Sequence, residues 1–298
     1  MRALVTGAKG FVGIWLTTHL GDQGDEVIGI DREVEITDGA AMREAVTTAS
    51  PDVIYHLAAK AHVGESWNEP EAVLQVNAVG TLHLLEAARA CSVPPRVLLI
   101  SSAEVYGSVV EDQLPVTEET ALAPVTPYAA SKVAAEYLGV QAYLAYGLPV
   151  VRVRPFNHIG PGQSPGFVVS ALAARIAEAA RAGASTIPVG NLEPRRDLTD
   201  VRDIVRAYRL VMESGTPGEV YNVCSGRDVS IAEVAERLLR LAGTEMTLVP
   251  DSELMRPVDV PIVRGDPTKL QRATGWQPQY DLDTTLRDVL DQWRERVA

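Results

Sequence analysis

An α/β fold, a doubly wound parallel sheet followed by a smaller α/β C-terminal domain, is what this 298-residue sequence predicts, on three observations. Short apolar runs of strand length alternate with stretches of helical period through the first half. A glycine-rich turn follows the first run and opens the first helix. The runs are near-continuous blocks of apolar residues, the pattern of strands buried on both faces.

The first strand is Ala3-Leu4-Val5; Gly7, Gly10 and Gly13 then stand at spacings of three, and a helical pattern continues to Leu20. Glycines let a backbone turn tightly and approach a pyrophosphate, and a helix start offers unpaired N–H groups at the positive end of its dipole. In this position the turn reads as a dinucleotide site; glycine kept for steric reasons alone is the bland alternative. The second strand, residues 26–30, ends at Asp31. An acid about 20 residues past the glycines can hydrogen-bond the ribose hydroxyls of NAD and would repel a 2′-phosphate. Arg32 follows and can accommodate that phosphate, so NAD(H) is favoured and NADP(H) stays open; a solvated turn is the ordinary reading of such a pair. Glu35 and Ile36 are candidates to lie under the adenine.

A third strand, residues 52–57, runs into Ala58-Ala59, small residues that let a backbone approach a ligand closely. Residues 73–89 read as helical. Asn77 inside that helix is mildly unfavourable and is either buried with hydrogen bonds or exposed. Residues 96–100 form an apolar strand after the first residue and end in Ser101-Ser102-Ala103-Glu104. Ligands of open parallel sheets bind beyond the carboxyl ends of the strands, so these groups are placed for chemistry; a hydroxyl-rich loop start is the common alternative.

The next helix begins with Thr126 as N-cap and Pro127 in the first position, and stops at Gly147. Val133, Tyr137, Val140 and Leu144 recur at helical period along it. Tyr128 and Lys132, four apart, share one face. A phenol has a reference pKa of about 10. A neighbouring ammonium lowers it and makes the oxygen usable in general acid–base work. Many helices carry such a pair by chance; here Ser102 converges on the same sheet edge.

After a strand at residues 150–153 comes a loop over 154–162, rich in Gly and Pro. The regular alternation ends there. Residues 1–155 are therefore expected to form the dinucleotide domain, with later segments returning to it, and 156–298 mainly the substrate domain. His158 reads as structural. Arg196 and Arg256 are candidate clamps for a diphosphate, since a guanidinium meets phosphate oxygens bidentately; surface salt bridges are the usual alternative.

The formal net charge of −12 excludes the basic footprint of a nucleic-acid-binding surface, though not an anionic substrate held by local cations. Cys91 and Cys224 have no metal-ligand spacing and make no disulfide framework. No metal site is expected. No apolar run reaches the roughly 18 residues of a membrane span, and the apolar start is too short for a signal peptide. A reduced, cytoplasmic setting is the expectation.

Gly7-x-x-Gly10-x-x-Gly13, His56-Leu57-Ala58-Ala59, Asn77, Ser101-Ser102, Tyr128-x-x-x-Lys132 and Arg154-Pro155-Phe156-Asn157 occur in that order. With these motifs the chain, to about Arg294, resembles the extended short-chain dehydrogenase/reductase family, in the branch acting on nucleotide-diphosphate sugars. The resemblance implies a Rossmann domain and an NAD(P) cofactor. It places that cofactor against Gly7, Gly10, Phe11, Val12, Gly13, Asp31, Arg32, Glu35, Ile36, Leu57, Ala58, Ala59, Lys60, Asn77, Ser101, Tyr128, Lys132 and Pro155. It places the nucleotide sugar against His62, Asn157, Val168, Arg196, Arg256 and Asp259. It implies that Ser102 steadies a carbonyl oxygen, Tyr128 moves the proton, and Lys132 tunes Tyr128 and holds the nicotinamide ribose. Glu104 joins this catalytic set without an assigned step.

Residues 156–164 and 189–203 are similar to the GDP-4-keto-6-deoxy-mannose reductases and the GDP-mannose 4,6-dehydratases. The short segment 31–38, and Ala103, which cannot give a proton to a leaving hydroxyl, point to the reductase. The implied reaction is NAD(P)H-dependent reduction of a C4 ketone, GDP-4-keto-6-deoxy-D-mannose giving GDP-D-rhamnose. His62 and Asp31 depart from that subgroup, and Ser102-Ala103 is also similar to the 4-epimerases. An NAD-retaining 4-epimerase or 4,6-dehydratase is thus the alternative. Helices of this fold often pair across a dimer, and the helix from Thr126 is the candidate for a homodimer.

Overall fold

The computed structural model describes residues 1–255 and 260–297. Its elements in chain order are β1 (Arg2–Thr6), α1 (Phe11–Asp22), β2 (Glu26–Ile30), α2 (Gly39–Ala49), β3 (Val53–His56), α3 (Pro70–Leu74) and α4 (Gly80–Arg89). Then follow β4 (Arg96–Ile100), α5 (Pro127–Tyr146), β5 (Val150–Pro155), β6 (Asn157–Ile159), α6 (Val168–Ala182), β7 (Thr186–Val189) and β8 (Arg195–Asp200). The last are α7 (Val201–Ser214), β9 (Val220–Val223), β10 (Asp228–Ser230), α8 (Ile231–Ala242), β11 (Thr247–Pro250), β12 (Ile262–Val263), α9 (Thr268–Thr274) and α10 (Leu282–Val297).

Six strands form one parallel sheet in the order β2-β1-β3-β4-β5-β9. The strand order reverses beside β1, and a crevice opens there outside the carboxyl ends. One face packs Leu16 of α1, Tyr208 of α7 and Trp276 beyond α9; the other packs Met42, Leu84 and Ala142. A second core lies between α6, α8 and α10, around Leu172, Val234 and Leu286. It is flanked by β8, which pairs with β6, β10 and β12, and by the β7–β11 pair. Among the described residues no helix is long and apolar enough to cross a membrane.

Helix α5 is capped as its sequence predicts. Thr126 accepts from Ala129 N at 3.0 Å, Pro127 opens the first turn, and Gly147 closes the helix at φ +68°. Its orientation differs from the usual rule. The apolar stripe faces outward, with Tyr137 59% and Leu144 75% exposed, while Ala129, Ala135, Gly139 and Ala142 face the sheet. The cause is close approach: a Cβ on Gly139 would lie 2.4 Å from Leu99 Cδ1.

Two further expectations are corrected. Residues 73–89 are not one regular helix, because a wide π turn over Gln75–Val79 separates α3 from α4. The stretch 154–162 is not all loop: Arg154 and Pro155 belong to β5, and Asn157–Ile159 pairs with β8. Arg256 and Asp259, expected at the sugar nucleotide, lie outside the described residues.

Candidate active site

The glycine turn sits at the carboxyl end of β1. Gly7 has φ +71°, and a Cβ there would lie 2.9 Å from Ala58 N. A Cβ on Gly13 would stand 2.1 Å from Gly7 O, so α1 can rest on the turn only without a side chain. Gly10 caps α1 with no side-chain bond to its first amides, which leaves them facing the crevice. At the end of β2, Asp31 accepts from Lys9 N at 2.8 Å and from Arg32 N at 2.9 Å, and Lys9 pairs with Glu33 at 2.9 Å. These groups fit a dinucleotide: a bare helix start for the diphosphate and a carboxylate over the turn for a ribose.

A cavity of about 660 Å³ follows this line. Gly7, Gly10, Phe11, Val12, Gly13, Arg32, Leu57, Ala59, Lys60, Ser101, Ser102, Glu104, Tyr128, Lys132 and Pro155 border it, as the sequence led one to expect. Asp31, Ala58 and Asn77 do not line it, though Asp31 accepts from Arg32 N and Asn77 from Lys60 N, both lining residues. Glu35 and Ile36 do not border it. Glu35 accepts from Thr37 N and Oγ1 within its own turn, and Ile36 is buried against Gly80 in the core.

Buried polar groups tie this wall together. Asn77 Oδ1 accepts from Lys60 N at 2.8 Å, and its Nδ2 donates to Lys60 O at 3.0 Å and to Ser131 Oγ at 2.9 Å. Ser131 Oγ donates to Tyr128 O at 2.7 Å, so the π turn grips both the segment after β3 and the start of α5. The buried reading of Asn77 holds. Beneath it, Thr81 Oγ1 donates to Asn77 O at 2.6 Å and must accept from His56 Nε2 at 3.0 Å. His56 Nδ1 then accepts from Thr6 Oγ1 at 2.8 Å, and Thr6 Oγ1 accepts from Ala58 N at 3.1 Å. Burial holds the imidazole neutral, with its pKa pushed down to about 3.

Tyr128 is buried and hydrogen-bonded to the Ser102 hydroxyl. Burial pushes its pKa up to about 12, the Ser102 bond draws it down, and the Glu104 carboxylate raises it. Lys132 Nζ donates to Ile100 O at 2.9 Å and lies 6.0 Å from the Tyr128 ring centre. Burial pushes its own pKa down to about 8. The expectation that Lys132 lowers the phenol's pKa is therefore corrected: desolvation outweighs it, and the amine reaches past the ring to a strand carbonyl. At neutral pH Tyr128 holds its proton.

The helix face continues one turn further to Glu136, which sequence reasoning missed. Its carboxylate receives Arg152 at 3.2 Å and Arg154 at 2.6 and 3.1 Å. Arg154 also donates to Tyr106 Oη at 2.9 Å, and Tyr106 donates to Asn222 Oδ1 at 2.7 Å. The network joins α5 to β5, to the turn after Ser102 and to β9. Its signal in the sequence is spacing alone: 128, 132 and 136 are four apart.

A second cavity of about 300 Å³ meets the first at His62, Glu104 and Asn157 and is bordered by Val168 and Arg196. The His62 ring tilts against Phe167 at 4.9 Å and fills the space left by Gly166, where a Cβ would come within 2.2 Å of Nε2. Arg196 donates to Val260 O at 2.7 Å and Arg195 O at 2.9 Å. His158 stacks on Phe11 and bonds Phe156 O at 3.1 Å, and burial lowers its pKa, in keeping with a structural role.

Residues 32–289 match the model of the GDP-mannose 4,6 dehydratase family. GDP-6-deoxy-D-mannose reductase of Pseudomonas aeruginosa is 38% identical over 99% of this chain and 98% of its own length. A solved structure of RMD from Pseudomonas aeruginosa complexed with NADPH covers 99% of this chain and 100% of that one, at 37% identity and TM-score 0.92. UDP-glucose 4-epimerase of Thermus thermophilus in complex with NAD is similar over 99% of each chain, at 30% identity and TM-score 0.88.

Proposed function

The chain belongs to the GDP-mannose 4,6 dehydratase family, and from that premise we propose that it reduces the C4 ketone of a nucleoside-diphosphate 4-keto-6-deoxy sugar with NAD(P)H. GDP-4-keto-6-deoxy-D-mannose giving GDP-D-rhamnose is the favoured reaction. The observation that carries this is a protonated phenol, Tyr128, hydrogen-bonded to Ser102 at the carboxyl edge of the sheet. Beside it stands Ala103, which has no proton to give a leaving hydroxyl. The reductase of Pseudomonas aeruginosa described above supports the choice of substrate.

The dinucleotide, when bound, supplies the hydride. Ser102 donates to the ketone oxygen and steadies the charge that develops on it. Tyr128 gives its proton to the same oxygen, which becomes the product hydroxyl. The Lys132 ammonium stabilises the phenolate left behind. Gly7, Gly10 and the first turn of α1 hold the diphosphate, and Asp31 the adenosine ribose. Asn157 and Arg196 hold the sugar nucleotide. Asp31 favours NAD(H). A specific observation supports NADP(H) as the second reading: Arg32 borders the same cavity, and the Pseudomonas structure was determined with NADPH. On this reading residues 1–155 carry the dinucleotide and 156–298 mainly the sugar nucleotide, with α7 and β9 returning to the large sheet. The outward stripe of α5, with the exposed Leu74 of α3 and Trp67 of the turn before it, both of which pack against α5, is the face we assign to a homodimer.

A screen of 4-keto-6-deoxy sugars on GDP, dTDP and UDP, followed by the absorbance of reduced nicotinamide and by NMR of the product, tests the reading. Oxidation of NADH or NADPH with only the GDP sugar, giving the C4 alcohol, supports it. Protein that carries stoichiometric NAD and turns over without added reductant would assign an epimerase or dehydratase instead.

A further inference from the structure

Ser102 opens a single 3₁₀ turn, Ala103–Tyr106, and its hydroxyl caps that turn by accepting from Glu104 N at 3.2 Å. Ser102, Ala103 and Glu104 border the large cavity; Tyr106, at the far end of the turn, borders neither cavity. So short a turn has poor hydrogen-bond geometry and little stability of its own. Where the Ser102 hydroxyl stands is therefore set by what holds the far end.

Tyr106 holds it. Its ring is buried against Phe156, in a cluster with Val105, Val116 and Cys224. Burial keeps the phenol protonated, its pKa pushed up to about 12. The proton goes to Asn222 Oδ1 at 2.7 Å, and the oxygen accepts from Arg154 Nη1 at 2.9 Å. Both partners are fixed in turn. Glu136 of α5 grips the Arg154 guanidinium, and Glu118 O accepts from the same Nη1 at 3.1 Å. Asn222, in β9, donates from Nδ2 to Val116 O at 3.1 Å and from its backbone N–H to Glu118 Oε1 at 2.7 Å. The phenol thus links the turn to β5 and β9, and through Glu136 to the helix that carries Tyr128 and Lys132. Packing alone asks only for a ring, which phenylalanine supplies. A donor and an acceptor met at one buried point ask for the hydroxyl.

We propose that Tyr106 is a positioning residue for the reduction: its hydroxyl, held between Arg154 and Asn222, fixes the turn that presents Ser102 to the ketone oxygen. A donor to a developing oxyanion is worth most when its place is set in advance, and an error of about 1 Å costs about 10²-fold. Tyr106 acts through Ser102. The inference rests on the reductase reading above.

Tyr106→Phe keeps the ring and deletes the hydroxyl. The backbone bond from Ala123 N to Val105 O, at 3.0 Å, stays, so the turn itself should persist. Hydride transfer is measured in a single turnover, from the absorbance of reduced nicotinamide with both ligands saturating. The variant should slow it about 10-fold, less than the roughly 10²–10³ of losing the Ser102 hydroxyl outright. Affinities for dinucleotide and sugar nucleotide should stay within about twofold. In a Ser102→Ala background the same change should cost nothing further, because no hydroxyl is left to place. A merely structural role would slow both backgrounds by the same factor. That outcome overturns the proposal, as does an unchanged rate or a loss confined to affinity. Should Tyr106→Phe fail to fold, Asn222→Ala, which takes the acceptor from the phenol, decides by the same cycle. If Ser102→Ala turns over like the parent, the role of Ser102 falls and this inference with it. A parent that reduces no 4-keto sugar with NADH or NADPH overturns the reductase reading; an active parent with equal losses in both backgrounds overturns this inference alone.

Discussion

The two cavities that meet at Glu104 differ in what holds their walls. Around the first, the working groups are buried and cross-tied. Tyr128 is bonded to Ser102, Lys132 to Ile100 O, Asn77 to Lys60 and Ser131, and Glu136 to two arginines. Around the second, Asn157 and Val168 are exposed, and Arg196 is only partly buried and leans on backbone carbonyls. Proton transfer depends on sub-ångström placement, which a dry, fully bonded wall provides. Gripping a charged diphosphate tolerates longer, better hydrated arms. The molecule is stiff where a bond is to be made and looser where a ligand is to be recognised.

The largest effect should come from Tyr128→Phe. Turnover is expected to fall about 10²- to 10⁴-fold, with dinucleotide affinity nearly unchanged; a loss of only a few-fold would break the assignment of the proton donor. Next comes Glu136→Gln, which leaves the buried guanidinium of Arg154 without its anion. Unfolding in urea should show a loss of about 3–5 kcal/mol. Arg196→Met, which deletes two hydrogen bonds to backbone carbonyls on the looser wall, should cost less, about 1–2 kcal/mol. Equal losses for the two would erase the contrast between the walls.

Arg196→Met should also raise KM for the sugar nucleotide about tenfold, the worth of a charged hydrogen bond, with kcat within a few-fold. The smallest effect is a pH dependence. Burial pushes the Lys132 pKa from 10.5 down to about 8. Its ammonium is lost as pH rises through that value, so kcat/KM should be about half-maximal near pH 8 and fall above it. The linked stability has the opposite sign. Between about 8 and 10.5 the unfolded chain holds the proton that the folded chain has released, so this group makes stability rise with pH in that window. An activity profile flat to pH 10 would remove Lys132 from the mechanism.

Much of the first wall is legible in the sequence. Of the five leading strands, β1, β3, β4 and β5 are largely buried and mostly apolar, whereas β2, at the sheet edge, is only half-buried to exposed, and α5 has its Thr126, Pro127 and Gly147 signals in place. The outward turn of α5 is not legible there. Its large apolar residues sit at helical spacing, as a core stripe would, and only the contact of Gly139 with Leu99 shows that the sheet accepts small side chains at that face. β6 and the π turn escape the sequence for a related reason. A three-residue strand and one extra residue in a turn leave no periodic trace, and both are stabilised by partners far along the chain: β8 for β6, and Lys60 and Ser131 for Asn77.

The amino-acid order alone determined what is local or periodic: the strand–helix alternation, the glycine turn, the caps of α5, and the shared face of Tyr128 and Lys132. Tertiary structure decided everything that depends on the distance from water. It set the proton on Tyr128 and the weakened one on Lys132, the double ion pair of Glu136, and the meeting of Tyr106 with Arg154 and Asn222 from far along the chain. Spacing along a helix is a property of the backbone. Desolvation and long-range pairing exist only once remote segments have closed over one another.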